Sequence, residues 1–170
     1  MKTILNLGCG TDIMESTAGI EYINVDIYLL EGVDIVHDLN LFEYPFKTES
    51  IDIILMNDIL EHLDNPIAVL LECWRILKKD GKCILRLVYW NHRFSYSDPQ
   101  HKWAFSEIYF DFFVGKRRAY YMPHHFSDVK IEYHFDPEAK VKYGDNPRIL
   151  LEKGYYHCNI IQGMEVTLIK

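Results

Sequence analysis

Three short apolar runs each end in groups able to hold part of a nucleoside. The first, Ile4–Leu7 with Asn6 inside it, stops at Gly8-Cys9-Gly10. Two glycines let the backbone turn sharply and let a ligand approach without meeting a side chain. The second, Tyr22–Ile27, carries Asp26 near its end. A carboxylate accepts from two neighbouring hydroxyls at once, which is what a ribose diol offers. The third, Asp34–Val36, runs into His37-Asp38, where a carboxylate can accept from an adenine amine. Each group alone is an ordinary turn residue. Gly-x-Gly, Asp and Asp in order at three run ends are much harder to explain as turns. A dinucleotide fingerprint would need Gly or Ala at position 13, and Ile13 stands there, so a nucleotide-dependent oxidoreductase is disfavoured.

The elements that must position these groups are strands and a helix. Ile51–Met56 is a continuous apolar run of the kind buried on both faces of a parallel sheet. Asp64-Asn65-Pro66 supplies a cap and a proline at the first helical position. Ile67, Leu70, Leu71, Trp74 and Leu77 follow at helical spacing, with Lys78-Lys79 at the C-terminal end and Gly81 as a left-handed stop. Lys82–Trp90 reads as a fifth strand, Ser106–Val114 as a second helix, and Val129–Phe135 and Glu165–Ile169 as an antiparallel pair. The polar stretch Asp136–Pro147 reads as loop. The expected architecture is one domain over residues 1–170: an α/β, doubly wound Rossmann-like sheet, mostly parallel, with a C-terminal antiparallel strand pair and abbreviated N-terminal helices. In such sheets ligands bind beyond the C-terminal strand ends, which adds Asn57-Asp58 and the segment after Trp90 to the candidate site.

Composition narrows the function. The chain has 170 residues, 49% hydrophobic and 25% charged, with a net charge of −7. An acidic chain has no general attraction for phosphate backbones or anionic membranes, so neither nucleic acid nor membrane is an expected partner. The cysteines Cys9, Cys73, Cys83 and Cys158 form no Cys-x-x-Cys pair. They read as buried thiols in a reducing compartment, and with no leader pattern the chain reads as cytoplasmic. His124-His125 suggests a metal weakly, because adjacent histidines point apart; no metal is expected.

Further segments carry a resemblance. Asn6-Leu7-Gly8-Cys9-Gly10, Asn24-Val25-Asp26-Ile27 and His37-Asp38-Leu39 are followed by Ser50–Ile54, Leu60-Glu61-His62-Leu63 and Glu72–Gly81. Together they resemble the binding segments of class I S-adenosylmethionine-dependent methyltransferases, from Ile4 to about Tyr89. Asp98-Pro99-Gln100-His101 and Phe105-Ser106 are similar to features of a compact type 11-like branch. The resemblance implies S-adenosyl-L-methionine as cofactor. It puts Asn6, Leu7, Gly8, Cys9 and Gly10 in the segment against the methionine part, and Asp26 and Ile27 at the ribose. Asp38 and Leu39 would frame the adenine, while Asn57, Asp58 and His62 would lie near the methionine or the methyl group. The family's usual helix before the first strand is not expected here, and the next two connections are short. Ile13, Met14, Ile20, Tyr28, Leu29 and Leu30 must therefore cover that sheet face, or a second copy must; a homodimer is the expected assembly.

Methyl transfer is an in-line displacement at an activated sulfonium, so the protein mainly positions the partners and supplies a base where the acceptor must lose a proton. His62, His101 and Asp98 are the catalytic candidates, each with a local structural role as the competing explanation. A Pro-Pro-aromatic segment after the fourth strand and a Pro-Cys nucleophile are both absent, against DNA base methylation. The aromatics between Trp90 and Phe126 could line a pocket for a small-molecule or sugar acceptor. The alternative is a cofactor-binding module or partner subunit without its own catalysis.

Overall fold

A computed structural model describes residues 1–170. Apolar runs rich in Ile, Val and Leu form β1 (Lys2–Leu7), β2 (Ile20–Asp26), β3 (Ile35–Val36) and β4 (Ile51–Asn57). After a 3-10 turn at Leu60–His62 come α1 (Pro66–Ile76) and β5 (Leu77–Val88). Two one-turn helices follow, α2 (Phe94–Ser97) and α3 (Glu107–Phe110), and then a second 3-10 turn, Ala119–Tyr121. The chain continues through β6 (Asp128–Phe135), α4 (Pro137–Tyr143), α5 (Pro147–Tyr156) and β7 (Ile161–Ile169). The strands form one sheet in the order β3-β2-β1-β4-β5-β7-β6. β1 to β5 pair in parallel, and β7 lies antiparallel between β5 and β6. The strand order reverses between β1 and β4, which opens a crevice at their C-terminal ends.

Register assigns the two faces. Leu5, Leu7, Val25, Ile54, Met56, Cys83, Leu85, Leu87, Met164, Val166 and Leu168 are buried on one face. They form a single core with α1 and with Phe105, Phe110, Phe113 and Phe126. The other face is largely open over β4, β5, β7 and β6. There Ile53, Leu55 and Ile84 are half-buried, and Lys82, Arg86, Lys130, Glu132 and His134 are exposed. Over β1 and β2 the connection before β2 folds down: Asn6 Nδ2 donates to Asp12 O at 2.7 Å, and Met14 N donates to Asn24 Oδ1 at 2.9 Å. Ile13, Met14 and Ile20 are half-buried by it, while Tyr28 and Leu29 stay exposed. No helix is long and apolar enough to cross a membrane.

Several elements differ from the sequence expectation. α1 is capped by Asn65, whose side chain accepts from Ala68 N, but it stops at Ile76, and Leu77 begins β5. Its buried stripe is Val69, Leu70, Cys73 and Ile76; of the expected face Leu70 and Leu77 are buried, Leu71 and Trp74 are half-buried and Ile67 is exposed. Apolar residues surround most of this helix, so spacing alone does not select the face that meets the sheet. Trp74 instead donates its indole N–H to His125 O at 3.0 Å and stacks on His124. Asp80, with φ 62°, takes the left-handed position expected of Gly81. Gly81 serves close approach, since a Cβ there would lie 2.8 Å from Lys78 O. The helix expected over Ser106–Val114 is only the single turn α3. Cys158 is exposed, whereas the other three thiols are buried.

The expected loop Asp136–Pro147 contains α4 and the start of α5. Asp136 caps α4: its Oδ1 accepts from Glu138 N at 2.8 Å and Ala139 N at 3.2 Å. Its Oδ2 accepts from the fully buried His92 Nε2 at 3.1 Å. Burial pushes this carboxyl up, but His92 and the two amides outweigh it and hold the group below the usual aspartate range. The anion therefore contributes stability at neutral pH that is lost as pH falls through the folded-state value. Asp136→Ala is expected to cost about 2–3 kcal/mol at pH 7, the loss of a cap plus a stranded buried imidazole. Urea denaturation checks this, and the gap between wild type and variant should narrow in acid.

Candidate functional site

The turn after β1 is built by the backbone. Gly8 N and Cys9 N both donate to Val25 O, at 2.8 and 3.1 Å, which folds the glycine turn over the end of β2. Gly8 sits at φ 66° and Gly10 at φ 51°, the left-handed region where glycine has no steric penalty. Asp26 ties the turn to the next loop, its Oδ2 accepting from Gly10 N at 2.8 Å and its Oδ1 from Tyr28 N at 3.0 Å. A carboxylate has about four acceptor positions, so two remain for a ligand diol. The β3 loop is anchored behind the site. Tyr44 donates its hydroxyl to Leu39 O at 2.8 Å, and its N–H to Glu72 Oε1 of α1 at 2.7 Å. Arg75 holds Glu72 below the usual carboxylate range against the opposing effect of burial. At the end of β4, Asp58 has φ 50° and is paired by Arg86 Nη2 at 2.5 Å.

These segments enclose a cleft of about 420 Å³. Gly8, Gly10, Asp26, Ile27, Asp38, Leu39, Asp58 and His62 all line it. Asn6, Leu7, Cys9 and Asn57 do not. Asn6 and Leu7 are buried, and Asn6 braces the loop through Asp12 and Asn24. Tyr28, Leu30, His37, Asn40, Ile59, Leu63 and Gln100 also line the cleft and were not among the sequence candidates for the cofactor. For all but Gln100, which comes from the turn after α2, the only signal is a place beside a strand end. A second cleft of about 430 Å³ adjoins the first at Asp58 and is lined by Arg86, Leu87, Val88, Phe94, His134, Gln162 and Gly163.

The three catalytic candidates come together. The His62 and His101 rings meet edge to face with centroids 4.7 Å apart. Asp98 completes the group, its ligand-capable atom within 4.8 Å of one on each histidine. Burial first, and then the His101 charge, hold His62 below the ordinary imidazole range. Neighbouring Glu61 is buried with neither carboxyl oxygen hydrogen-bonded, and burial pushes it up. His124 and His125 lie instead against Trp74, as packing and hydrogen-bonding partners.

Known proteins fit this geometry. Residues 5–85 match the methyltransferase domain family. An uncharacterized protein of Methanocaldococcus jannaschii is 32% identical over 84 residues, 49% of this chain and 37% of that protein, so the chain spans well under half of this relative's length. An S-adenosylmethionine-dependent methyltransferase from Archaeoglobus fulgidus shares the fold, with a TM-score of 0.71 at 20% identity over 99% of this chain and 86% of that one. A phosphoethanolamine N-methyltransferase of Haemonchus contortus, crystallised with phosphomonomethylethanolamine and S-adenosylhomocysteine, gives a TM-score of 0.63 at 16% identity. That match covers 99% of this chain and 49% of the other. Strand order, the glycine turn braced by Asp26 and the match over residues 5–85 agree on the fold of S-adenosylmethionine-dependent methyltransferases.

Proposed function

We propose that the chain transfers the methyl group of S-adenosylmethionine to a small polar or carbohydrate-linked acceptor held in the second cleft. The observation that carries this is the junction at Asp58, where the cofactor cleft meets a pocket of similar size. Asp26 holds the ribose, Asp38 and Leu39 frame the adenine, and the glycine turn takes the methionine part. His62, which lines the cofactor cleft together with Asp58, meets the acceptor where it reaches across from the second cleft, with His101 and Asp98 packed beside it. In the transfer the methyl carbon–sulfur bond breaks as the bond to the acceptor atom forms in line, and the sulfur keeps the electron pair. The Arg86, His134 and Gln162 side of the pocket suits an acceptor with several polar groups.

A screen of small acceptors with methyl-labelled S-adenosylmethionine tests this reading. Label in a small-molecule product supports it. Cofactor binding without transfer to any acceptor would favour the second reading, a cofactor-binding subunit, for which the largely open sheet face speaks. Asp26→Ala is expected to weaken S-adenosylhomocysteine binding about 10- to 100-fold, because a charge-assisted bidentate contact is lost. Isothermal titration of the folded variant measures it, and an unchanged dissociation constant would place the ribose elsewhere.

A further inference from the structure

We propose that His62, Asp98 and His101 form a binding site for one divalent transition-metal cation of the zinc type at the rim of the cofactor cleft. The inference deepens the proposed function, giving the acceptor contact of this trio a metal ion as its agent. The three residues come from separate places, His62 from the 3-10 turn after β4 and Asp98 with His101 from the turn after α2. Their ligand-capable atoms lie within 4.8 Å of one another. Two imidazoles and one carboxylate suit zinc-type cations, whereas magnesium and calcium ask for oxygen ligands. A zinc ion with bonds of about 2.0–2.1 Å sets its ligands about 3.4 Å apart, so the three side chains must draw closer as the ion binds, Asp98 doing so while its Oδ1 accepts from Gln100 N at 2.8 Å.

The second-layer contacts have the form that such a site needs. His101 donates Nδ1–H to Ser95 O at 3.1 Å, which leaves the Nε2 lone pair free. Ser95 is itself buried, and its hydroxyl donates to Tyr89 O at 3.2 Å, so the ring is held from behind. His62 Nδ1 is shut away from solvent without a hydrogen-bond partner, so its imidazole is left short of one contact. Lys102, the nearby cation, is turned away to Asp64 Oδ1 at 2.6 Å. Its backbone N–H donates to Glu61 O at 2.8 Å, and Trp103 Nε1 donates to Leu63 O at 2.8 Å, stitching the Asp98–Trp103 loop to the turn that carries His62. His62 and Gln100 line the cofactor cleft, which puts the trio at its rim.

Cobalt(II) is the probe, titrated into the metal-free chain in a Cys158→Ser background so that the exposed thiol adds no ligand. One equivalent should produce visible absorption bands of low-symmetry coordination, displaced by zinc, with a dissociation constant in the micromolar range or below. His101→Ala should weaken binding at least 100-fold and Asp98→Asn about 10-fold, both read as loss of the bands. Asp98 is exposed, so its variant remains informative where His101→Ala fails to fold. No bands at millimolar cobalt, or bands unchanged in both variants, would overturn the proposal. Titration with S-adenosylhomocysteine on the same samples separates the two readings: its failure beside intact cobalt binding sinks the methyltransferase reading alone.

Discussion

Saturating S-adenosylhomocysteine is expected to raise the melting temperature of this chain by about 5–10 °C. A ligand at one hundred times its dissociation constant adds about 2.7 kcal/mol to the stability of the state that binds it. In a domain of this size each kcal/mol moves the midpoint by about 2–4 °C. The cradle exists only in the folded chain, since it is made by backbone turns at three strand ends and by the Asp26 carboxylate that joins two of them. Differential scanning fluorimetry across a ligand series gives the shift, and NAD at the same concentrations is the control. A flat series at millimolar S-adenosylhomocysteine would remove the cofactor assignment, and an equal shift with NAD would restore the hydride reading that Ile13 argues against.

The two glycines of the turn should fail in different ways. At Gly8 an added Cβ would lie against the Ile59 side chain, with its Cδ1 at 2.9 Å, and the backbone has φ 66°. Left-handed strain of about 1–2 kcal/mol and overpacking of about 1–3 kcal/mol together give an expected loss of about 2–5 kcal/mol for Gly8→Ala. At Gly10 nothing lies within 4 Å of an added Cβ. Gly10→Ala should therefore cost only the left-handed strain, about 1–2 kcal/mol of stability, while placing a methyl group in the cofactor cleft. Denaturant melts and cofactor titrations on both variants test the pair. Equal stability losses, or a Gly10→Ala variant that binds as well as wild type, would mean that the turn does not meet the ligand.

Part of the lining of the first cleft is legible because it is written in local rules. A strand end, a glycine turn and an acid at the next strand end fall in a fixed order, so Gly8, Gly10, Asp26 and Asp38 could be picked out without knowing what they face. The rest of the cleft comes from residues whose only distinction is position. Tyr28 and Leu30 carry no spacing signal, and Gln100, an unassigned position of the Asp98–His101 motif, arrives from a loop far along the chain. The misread stretch is instructive in another way. Asp136-Pro137 and Asn146-Pro147 each supply a capping side chain followed by proline at the first helical position, as Asn65-Pro66 does before α1. The long apolar run after Pro66 made the first signal audible, whereas α4 and α5 are short, charged and mostly exposed. Polar composition was read as loop where the caps already marked helix starts. The face of α1 is only partly legible for the opposite reason: apolar residues surround the helix, so Leu70 and Leu77 are buried as expected but Val69, Cys73 and Ile76 complete the stripe.

The place of β7 between β5 and β6 sets the order in which this sheet can be made during translation. β6 leaves the ribosome with no partner of its own, because every residue pair it forms is with β7. β5 likewise keeps one edge unpaired, although its parallel pairing with β4 can form earlier. Ile161–Ile169 then enters the gap and satisfies both edges at once, joining Lys82 to Ile169 and Asp128 to Ile169 across the same residue. A nascent chain that stalls before this strand carries two open edges beside a largely uncovered sheet face, the kind of surface that recruits chaperones or other stalled copies. The final strand is therefore the latch of the whole sheet, and the speed at which it follows β6 decides how long the growing chain is exposed.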